Sequence, residues 1–168
     1  MNLVEYCTQL EQQLGEHPEP KRPALAAKAL QSAFKLQKDE VAIFSFEPKM
    51  EVFKFIWPTR LQTSGIVPIK AINSLVAKTG REMRGYLDNR FNKTAHTFIF
   101  EMIPDKETPE SNRPIQKIMS APLQADGNLR GVVQVSRKGD NRQQVGADFQ
   151  KTELAALERI AAVLARFI

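Results

Sequence analysis

The chain has 168 residues, of which 42% are hydrophobic and 26% charged, proportions that exclude a disordered, collagen-like or membrane-embedded protein. This length holds one hydrophobic core, so we expect a single domain over residues 1–168, with a helix and linker in 1–22 and the core in 23–168. The net charge of +5 is small, and the basic residues form short pairs interrupted by acids rather than the long stripe that nucleic acid binding needs. We therefore expect no nucleic acid partner.

The sequence also predicts neither a membrane partner nor a structural metal. No run of residues approaches the roughly 18 apolar side chains of a membrane span, and residues 1–16 lack the apolar core of a signal peptide. Cys7 is the only cysteine, and the two histidines, His17 and His96, lie far from it in sequence. We expect a cytoplasmic protein without disulfides or a zinc site.

Two helices are predicted at the N-terminus. Apolar residues recur at helical spacing up to Leu14, and Gly15 is placed to end the first helix. The proline-containing segment 17–23 is typical of an extended linker. A second amphipathic helix is predicted over 24–38, with an apolar stripe suited to packing on a sheet.

The next segments are rich in aromatic and β-branched residues, which favours strands. Residues 41–46 and 52–57 are predicted to form an antiparallel hairpin in which Phe53, Phe55 and Trp57 share one face. After an irregular stretch, a short helix is predicted over 71–78, closed by the pair Thr79-Gly80.

The middle of the chain gives weaker signals. A short strand is predicted over 82–87, and Phe98, Ile99, Met102 and Ile103 have the spacing of one or two helical turns. Residues 104–114 have the composition of a surface loop.

The clearest local pattern is a second hairpin. Residues 115–123 and 129–136 are predicted strands joined by a turn that contains Asp126-Gly127. In the second strand Val133 and Val135 face the core, whereas Val132, Gln134 and Ser136 form a half-polar face suited to the border of a cavity.

The chain closes with a predicted helix that begins at a cap on Asp148 and runs to Ile168. Its main apolar stripe is joined by a second apolar face that includes Val163 and Phe167. This apolar width is more than one partner surface requires, so the helix is integral to the fold, to a dimer, or to both.

The order of these elements over the whole chain resembles the GAF family. Three segments carry the resemblance: 38–44 at the start of the first strand, 72–88 in the short helix and following strand, and the last hairpin and helix with Ala121-Pro122-Leu123, Asp126-Gly127, 131–135, Phe149 and Glu153-Leu154. The resemblance implies an α+β fold of the profilin or PAS kind, a six-stranded antiparallel sheet with the N- and C-terminal helices on one face. It places a small-molecule pocket under the middle segment on the other face.

The resemblance also implies regulation rather than catalysis. Cyclic-nucleotide-binding members carry an Asn-Lys pair and a later Phe-x3-Asp-Glu motif. The matching positions of this sequence hold Arg137-Lys138, Phe149 and Glu153-Leu154, so only half of the pattern is kept. Members that hold a bilin or reduce free methionine sulfoxide need cysteines in the pocket region. Cys7, in the first helix, fits neither group.

Aromatic, methionine and polar side chains in the pocket region are the candidate ligand-binding residues, because such pockets are largely apolar with a few orienting polar groups. They are Phe55, Trp57, Arg84, Tyr86, Asp88, Phe98, Met119 and Gln134. The alternative for each apolar member is a purely structural role in the core. His96 is interpreted as an exposed loop histidine, because no nucleophile with a base and an orienting group can be assembled around it.

We therefore expect a non-enzymatic, sensory GAF-like module that binds a small ligand and signals through a homodimer of its terminal helices or through an effector protein in trans. The first alternative is a ligand-free interaction module whose pocket is filled by its own side chains. The second is an enzyme of the methionine sulfoxide reductase kind. The sequence identifies neither the ligand nor a cofactor.

Overall fold

The computed structural model describes residues 2–96 and 113–168, and it arranges them as one antiparallel sheet with helices on both faces. The six strands lie in the order β3-β2-β1-β6-β5-β4. Their bounds are β1 Val41–Glu47, β2 Val52–Trp57, β3 Ile66–Pro68, β4 Tyr86–Asp88, β5 Ile115–Ala125 and β6 Asn128–Lys138. The predicted α+β class and six-stranded antiparallel sheet are confirmed.

Four α-helices accompany the sheet in the described part of the chain. They are α1 Leu3–Glu16, α2 Arg22–Phe34, α3 Leu75–Glu82 and α4 Lys151–Leu164, with short 3₁₀ turns at Glu19–Lys21, Thr59–Leu61 and Phe91–Lys93. None of them is long and apolar enough to cross a membrane.

The helices α1, α2 and α4 cover one face of the sheet, here called the helical face. Its strand residues include Val41, Ile43, Val133 and Val135, which pack against apolar side chains of the three helices. The largest fully buried helix side chains on this face are Leu14, Leu30, Leu157, Ile160 and Leu164. Burying each of these side chains contributes roughly 1.5 to 3 kcal/mol, so this layer is a main source of stability.

The second apolar face of α4 is covered by α1 of the same chain. Val163 is buried, and the Phe167 ring reaches Gly15 and lies 5.5 Å below the Arg22 guanidinium. Leu10 of α1 belongs to the same core. The additional apolar width of the last helix therefore contributes to the fold itself.

The opposite face of the sheet, here called the α3 face, has a second apolar layer. Ala42 and Phe44 of β1, Phe53 and Phe55 of β2 and Val132 of β6 pack there, together with Val76 and Ala77 of α3. The core thus has two layers, one on each side of the sheet.

The starts of α4 and α3 differ from their predictions for local reasons. Gln150 caps α4 in place of Asp148, because the Gln150 side chain and the Glu153 carboxylate form a reciprocal capping box, while the carboxylate of Asp148 binds Lys117 and Arg142. Helix α3 begins later than predicted because the Ser74 hydroxyl accepts the N–H of Ala77.

Helix α3 also continues through Thr79-Gly80, which the sequence predicts to be its end. A Cβ on Gly80 would collide with the Phe53 ring and lie 3.2 Å from the Leu129 Cδ2, so this glycine allows the helix to approach the sheet closely. The helix ends at Met83, whose φ of 52° is left-handed. The following strand is consequently Tyr86–Asp88 rather than 82–87.

Candidate functional site

A chain of three hydrogen-bonded polar side chains lies between α3 and the sheet. The Gln134 amide nitrogen on β6 donates to the Ser120 hydroxyl on β5 at 3.2 Å, and the Ser120 and Thr79 hydroxyl oxygens are 2.7 Å apart. Ser120 and Thr79 are completely buried, and Gln134 is 8% exposed. This polar chain interrupts an otherwise apolar layer.

Alternation along the strands explains why these side chains meet. Ser120 and Gln134 are paired across the β5–β6 ladder, so their side chains lie on the same face of the sheet. Helix α3 lies above this pair and contributes Thr79 from its buried side. A buried hydroxyl or amide without a partner costs about 1 to 3 kcal/mol, so the three groups stabilise one another by sharing hydrogen bonds.

Aromatic side chains share the α3 face with the polar chain. Phe44 and Phe55 are buried with ring centroids 4.3 Å apart, and the side chain of Phe91 belongs to the same layer. The His96 ring lies 4.1 Å from that of Phe91. The combination of aromatic walls and a few converging polar groups is typical of sites for small organic molecules.

Asp88 organises the segment that follows β4. Its carboxylate accepts the N–H of Arg90 and the hydroxyl of Thr94, both at 2.7 Å. These bonds hold the 3₁₀ turn that inserts Phe91 into the core. Asp88 therefore stabilises the backbone of this segment at the edge of the α3 face.

Arg84 and Tyr86 belong to a separate surface cluster beside α3. The Tyr86 hydroxyl donates to the Glu82 carboxylate and accepts from Arg84 at 2.8 Å, and the Lys78 ammonium lies 4.6 Å from the ring centroid. Burial and the bond to Glu82 raise the pKa of Tyr86, whereas the same bond lowers the pKa of the exposed Glu82. The contacts of both candidates are therefore with their own surface neighbours.

Two candidate residues lie on the other side of the sheet. Met119 is fully buried in the helical-face core, and Trp57 packs against that core as well. The prediction that Trp57 shares a face with Phe53 and Phe55 is wrong, because a bulge at Ile56 pairs Phe55 with Phe44 and Trp57 with Ile43.

Of the eight candidates, Phe55 and Gln134 lie together on the α3 face, and Phe98 lies outside the described residues. Sequence reasoning missed Thr79 and Ser120. The sequence signal for Ser120 is a polar residue on a strand whose other residues are mostly apolar. The sequence pattern places Thr79 at the end of a helix, a position at which it does not predict burial.

The chemistry of the polar chain is that of a neutral hydrogen-bonding site. Ser120 has a hydroxyl and an amide as neighbours, so within the described ranges it has no base to activate it as a nucleophile. No group of three or more metal-ligating side chains occurs in the described part. Cys7 is on α1 at the helical face, and burial raises the pKa of its thiol.

No known protein-family model and no curated protein matches this sequence. Among solved structures, the GAF domain of a phosphoenolpyruvate-protein phosphotransferase from Coxiella burnetii superposes with a TM-score of 0.74 at 14% identity, covering 99% of this chain and 92% of that one. The corresponding GAF domain from Acinetobacter gives 0.72 at 12%, covering 98% and 91%.

A third similar structure is the free methionine-R-sulfoxide reductase of Neisseria meningitidis in complex with its substrate, with a TM-score of 0.67 at 14% identity, covering 98% of this chain and 86% of that one. These likenesses establish that the chain has the GAF fold. The resemblance drawn from the sequence is thereby confirmed at the level of the fold.

Proposed function

We propose that this protein is a regulatory module that binds a small organic ligand on the α3 face of its sheet. The hydrogen-bonded chain of Thr79, Ser120 and Gln134 inside an aromatic layer carries the proposal. A layer needed only for stability is packed most favourably with apolar side chains, because buried polar groups need hydrogen-bonding partners. Polar groups that can exchange partners suit a ligand instead.

The comparison with the Neisseria reductase supports a ligand-binding role, because that protein is a GAF-fold structure solved with its substrate. The proposed ligand would hydrogen-bond to the Gln134 amide and pack its apolar part against the aromatic group around Phe55. An uncharged hydroxyl, amide or carbonyl matches these side chains.

We propose a binding function rather than an enzymatic one for this face. Reduction of a sulfoxide by thiols needs cysteines at the site, and the single Cys7 lies on the other side of the sheet. A Cys7→Ser variant should therefore fold and bind as the parent does. Methionine sulfoxide reduction that depends on Cys7 would contradict this part of the proposal.

The first test is native mass spectrometry of the purified chain, followed by a thermal-shift screen of metabolites. We expect a non-covalent adduct or a compound that raises the Tm of the parent but not of Gln134→Leu. Gln143→Leu is the matched control, because Gln143 is exposed in a loop. A parent without an adduct and without any stabilising compound would favour the alternative, an interaction module whose α3 face is filled by its own side chains.

The same spectra test the proposed signalling route. We propose that the terminal helices form a homodimer interface or present the module to an effector protein in trans, and the exposed side chains of α1, such as Val4, are the surface for it. A subunit count of two that reverts to one in Val4→Glu would support the dimer. A monomer at micromolar concentration would contradict the dimer and favour signalling through an effector protein in trans.

A further inference from the structure

A second charged cluster lies on the helical face, beside the loop 139–147. Lys117 of β5 is paired with Arg137 of β6, and its enclosed ammonium donates to the Gly146 carbonyl at 2.6 Å and to Asp148 at 2.8 Å. Arg142 binds the second carboxylate oxygen of Asp148 at 2.9 Å. Two cations thus share one carboxylate.

The third cation, Arg137, has no carboxylate partner among the described residues. Its guanidinium carbon lies 4.6 Å from the centroid of the Phe149 ring, and its Nε is buried without a hydrogen bond within residues 2–96 and 113–168. Its Nη1 is directed toward Gly146, since a Cβ on that glycine would lie 3.8 Å away. Arg137 and Lys117 therefore converge on the same loop residue.

The position of the Arg137 side chain is fixed by its surroundings. Asn89 exchanges two hydrogen bonds with the backbone of Phe149, at 2.9 and 3.0 Å, which holds the ring beneath the guanidinium. Glu40 is close enough for the charge of Arg137 to act on it, but its two oxygens accept the N–H groups of Gln37 and Lys138. It is therefore committed to the backbone.

A guanidinium whose Nε is buried without an acceptor is costly, because that N–H donor has lost water without gaining a partner. The ring stacking stabilises the plane of the group but satisfies none of the donors. Lys117, Arg137 and Arg142 lie near two carboxylates, that of Asp148 between Lys117 and Arg142 and that of Glu40 near Arg137, which leaves an excess of one positive charge. A dianion with several acceptor oxygens would accept the unmade hydrogen bond and offset the excess positive charge.

We propose that Arg137 binds the phosphate group of a small molecule, or inorganic phosphate itself, at the rim formed by the loop 139–147. Arg137 supplies the hydrogen bonds, and Lys117 and Arg142 add positive potential while they hold Asp148. This site lies on the opposite side of the sheet from the polar chain of Ser120 and Gln134. It is therefore independent of the ligand site proposed above.

The test is a titration of the 168-residue chain with inorganic phosphate at constant ionic strength, monitored by isothermal calorimetry and by thermal shift. We expect saturable binding by the parent and about tenfold to hundredfold weaker binding by Arg137→Gln, the loss expected for a charge-assisted hydrogen bond. The matched control is Arg130→Gln, which removes the same charge from an exposed position of the same strand. It should bind as the parent does.

Arg137→Lys keeps the charge and loses the planar fork, so we expect intermediate affinity, and this variant gives the answer if Arg137→Gln does not fold. Glycerol 3-phosphate in a parallel titration distinguishes the two sources of the group, since tighter binding than that of phosphate indicates an organic phosphate. Absence of saturable binding to both compounds, or equal affinities in the Arg137 and Arg130 variants, would overturn the proposal.

Discussion

The buried polar chain on the α3 face makes a prediction about the sign of a mutational effect. In the parent, Thr79→Val removes a hydroxyl that is hydrogen-bonded to Ser120, so the substitution should destabilise the fold. In a Ser120→Ala background the Thr79 hydroxyl is fully buried and has lost that partner. The same Thr79→Val substitution should then stabilise the protein.

The magnitudes follow from the cost of hydrogen bonds made and left unmade. Loss of one net hydrogen bond costs about 0.5 to 1.5 kcal/mol, which is the expected effect of Thr79→Val in the parent. Ser120→Ala leaves both the Thr79 hydroxyl and the Gln134 amide without their partner, for a loss of roughly 2 to 6 kcal/mol. Removing the unsatisfied hydroxyl should recover about 1 to 3 kcal/mol, and the two single effects should be far from additive.

Urea unfolding followed by the fluorescence of Trp57, the single tryptophan, measures all four members of this cycle. Ser32→Ala, at an exposed position of α2, controls for the loss of a hydroxyl without burial. A Thr79→Val effect of equal size and sign in both backgrounds would refute the reasoning. It would mean that the hydroxyl bonds the helix carbonyl one turn earlier rather than Ser120.

Three further predictions concern other parts of the fold. Gly131→Ala should unfold the protein or cost several kcal/mol by circular dichroism, because the new Cβ would overlap the backbone oxygen of Phe44 between two central strands. Hydrogen bonds from Lys117 and then from Arg142 lower the pKa of Asp148, so the stability from this carboxylate is present above the ordinary aspartate pKa and is lost as the pH falls through the lowered value. Asp148→Asn should therefore reduce the difference between the urea midpoints at pH 7 and pH 3. Burial raises the pKa of the Cys7 thiol, so its alkylation by iodoacetamide at neutral pH should be slow in the native protein and fast in urea. Equal alkylation rates in the two conditions would contradict this prediction.

Periodicity was sufficient to predict the elements that carry their own signals. The Asp126-Gly127 turn and the alternation of the flanking strands gave the last hairpin, and the apolar stripe that includes Leu157 gave the last helix. The opposite faces of Val133 and Gln134 follow from the same alternation and are confirmed by their packing. Patterns of this kind are local, so they are visible without the fold.

The sequence pattern does not predict which residues form the site, because three strand irregularities change which residues face each other. A hairpin closed by Ala125 and Asn128 without interruption would place Met119 opposite Gln134, which would make both of them residues of one face. The register shift beside Leu123 leaves Arg130 unpaired and brings Ser120 opposite Gln134 instead. A single added residue thus replaces a methionine by a serine beneath α3.

The same physics accounts for the positions of Trp57 and Ile115. The shift in β1–β2 turns the indole to the helical face, and the shift between Ile115 and Lys117 places Ile115 in the apolar layer of the α3 face although Lys117 lies on the helical face. Bulges depend on how a strand accommodates its neighbours rather than on its own pattern of apolar residues. The polar chain on the α3 face is therefore set by strand pairing that the sequence pattern alone does not encode, whereas Lys117 and Arg137 follow the regular alternation from Met119 and Val135.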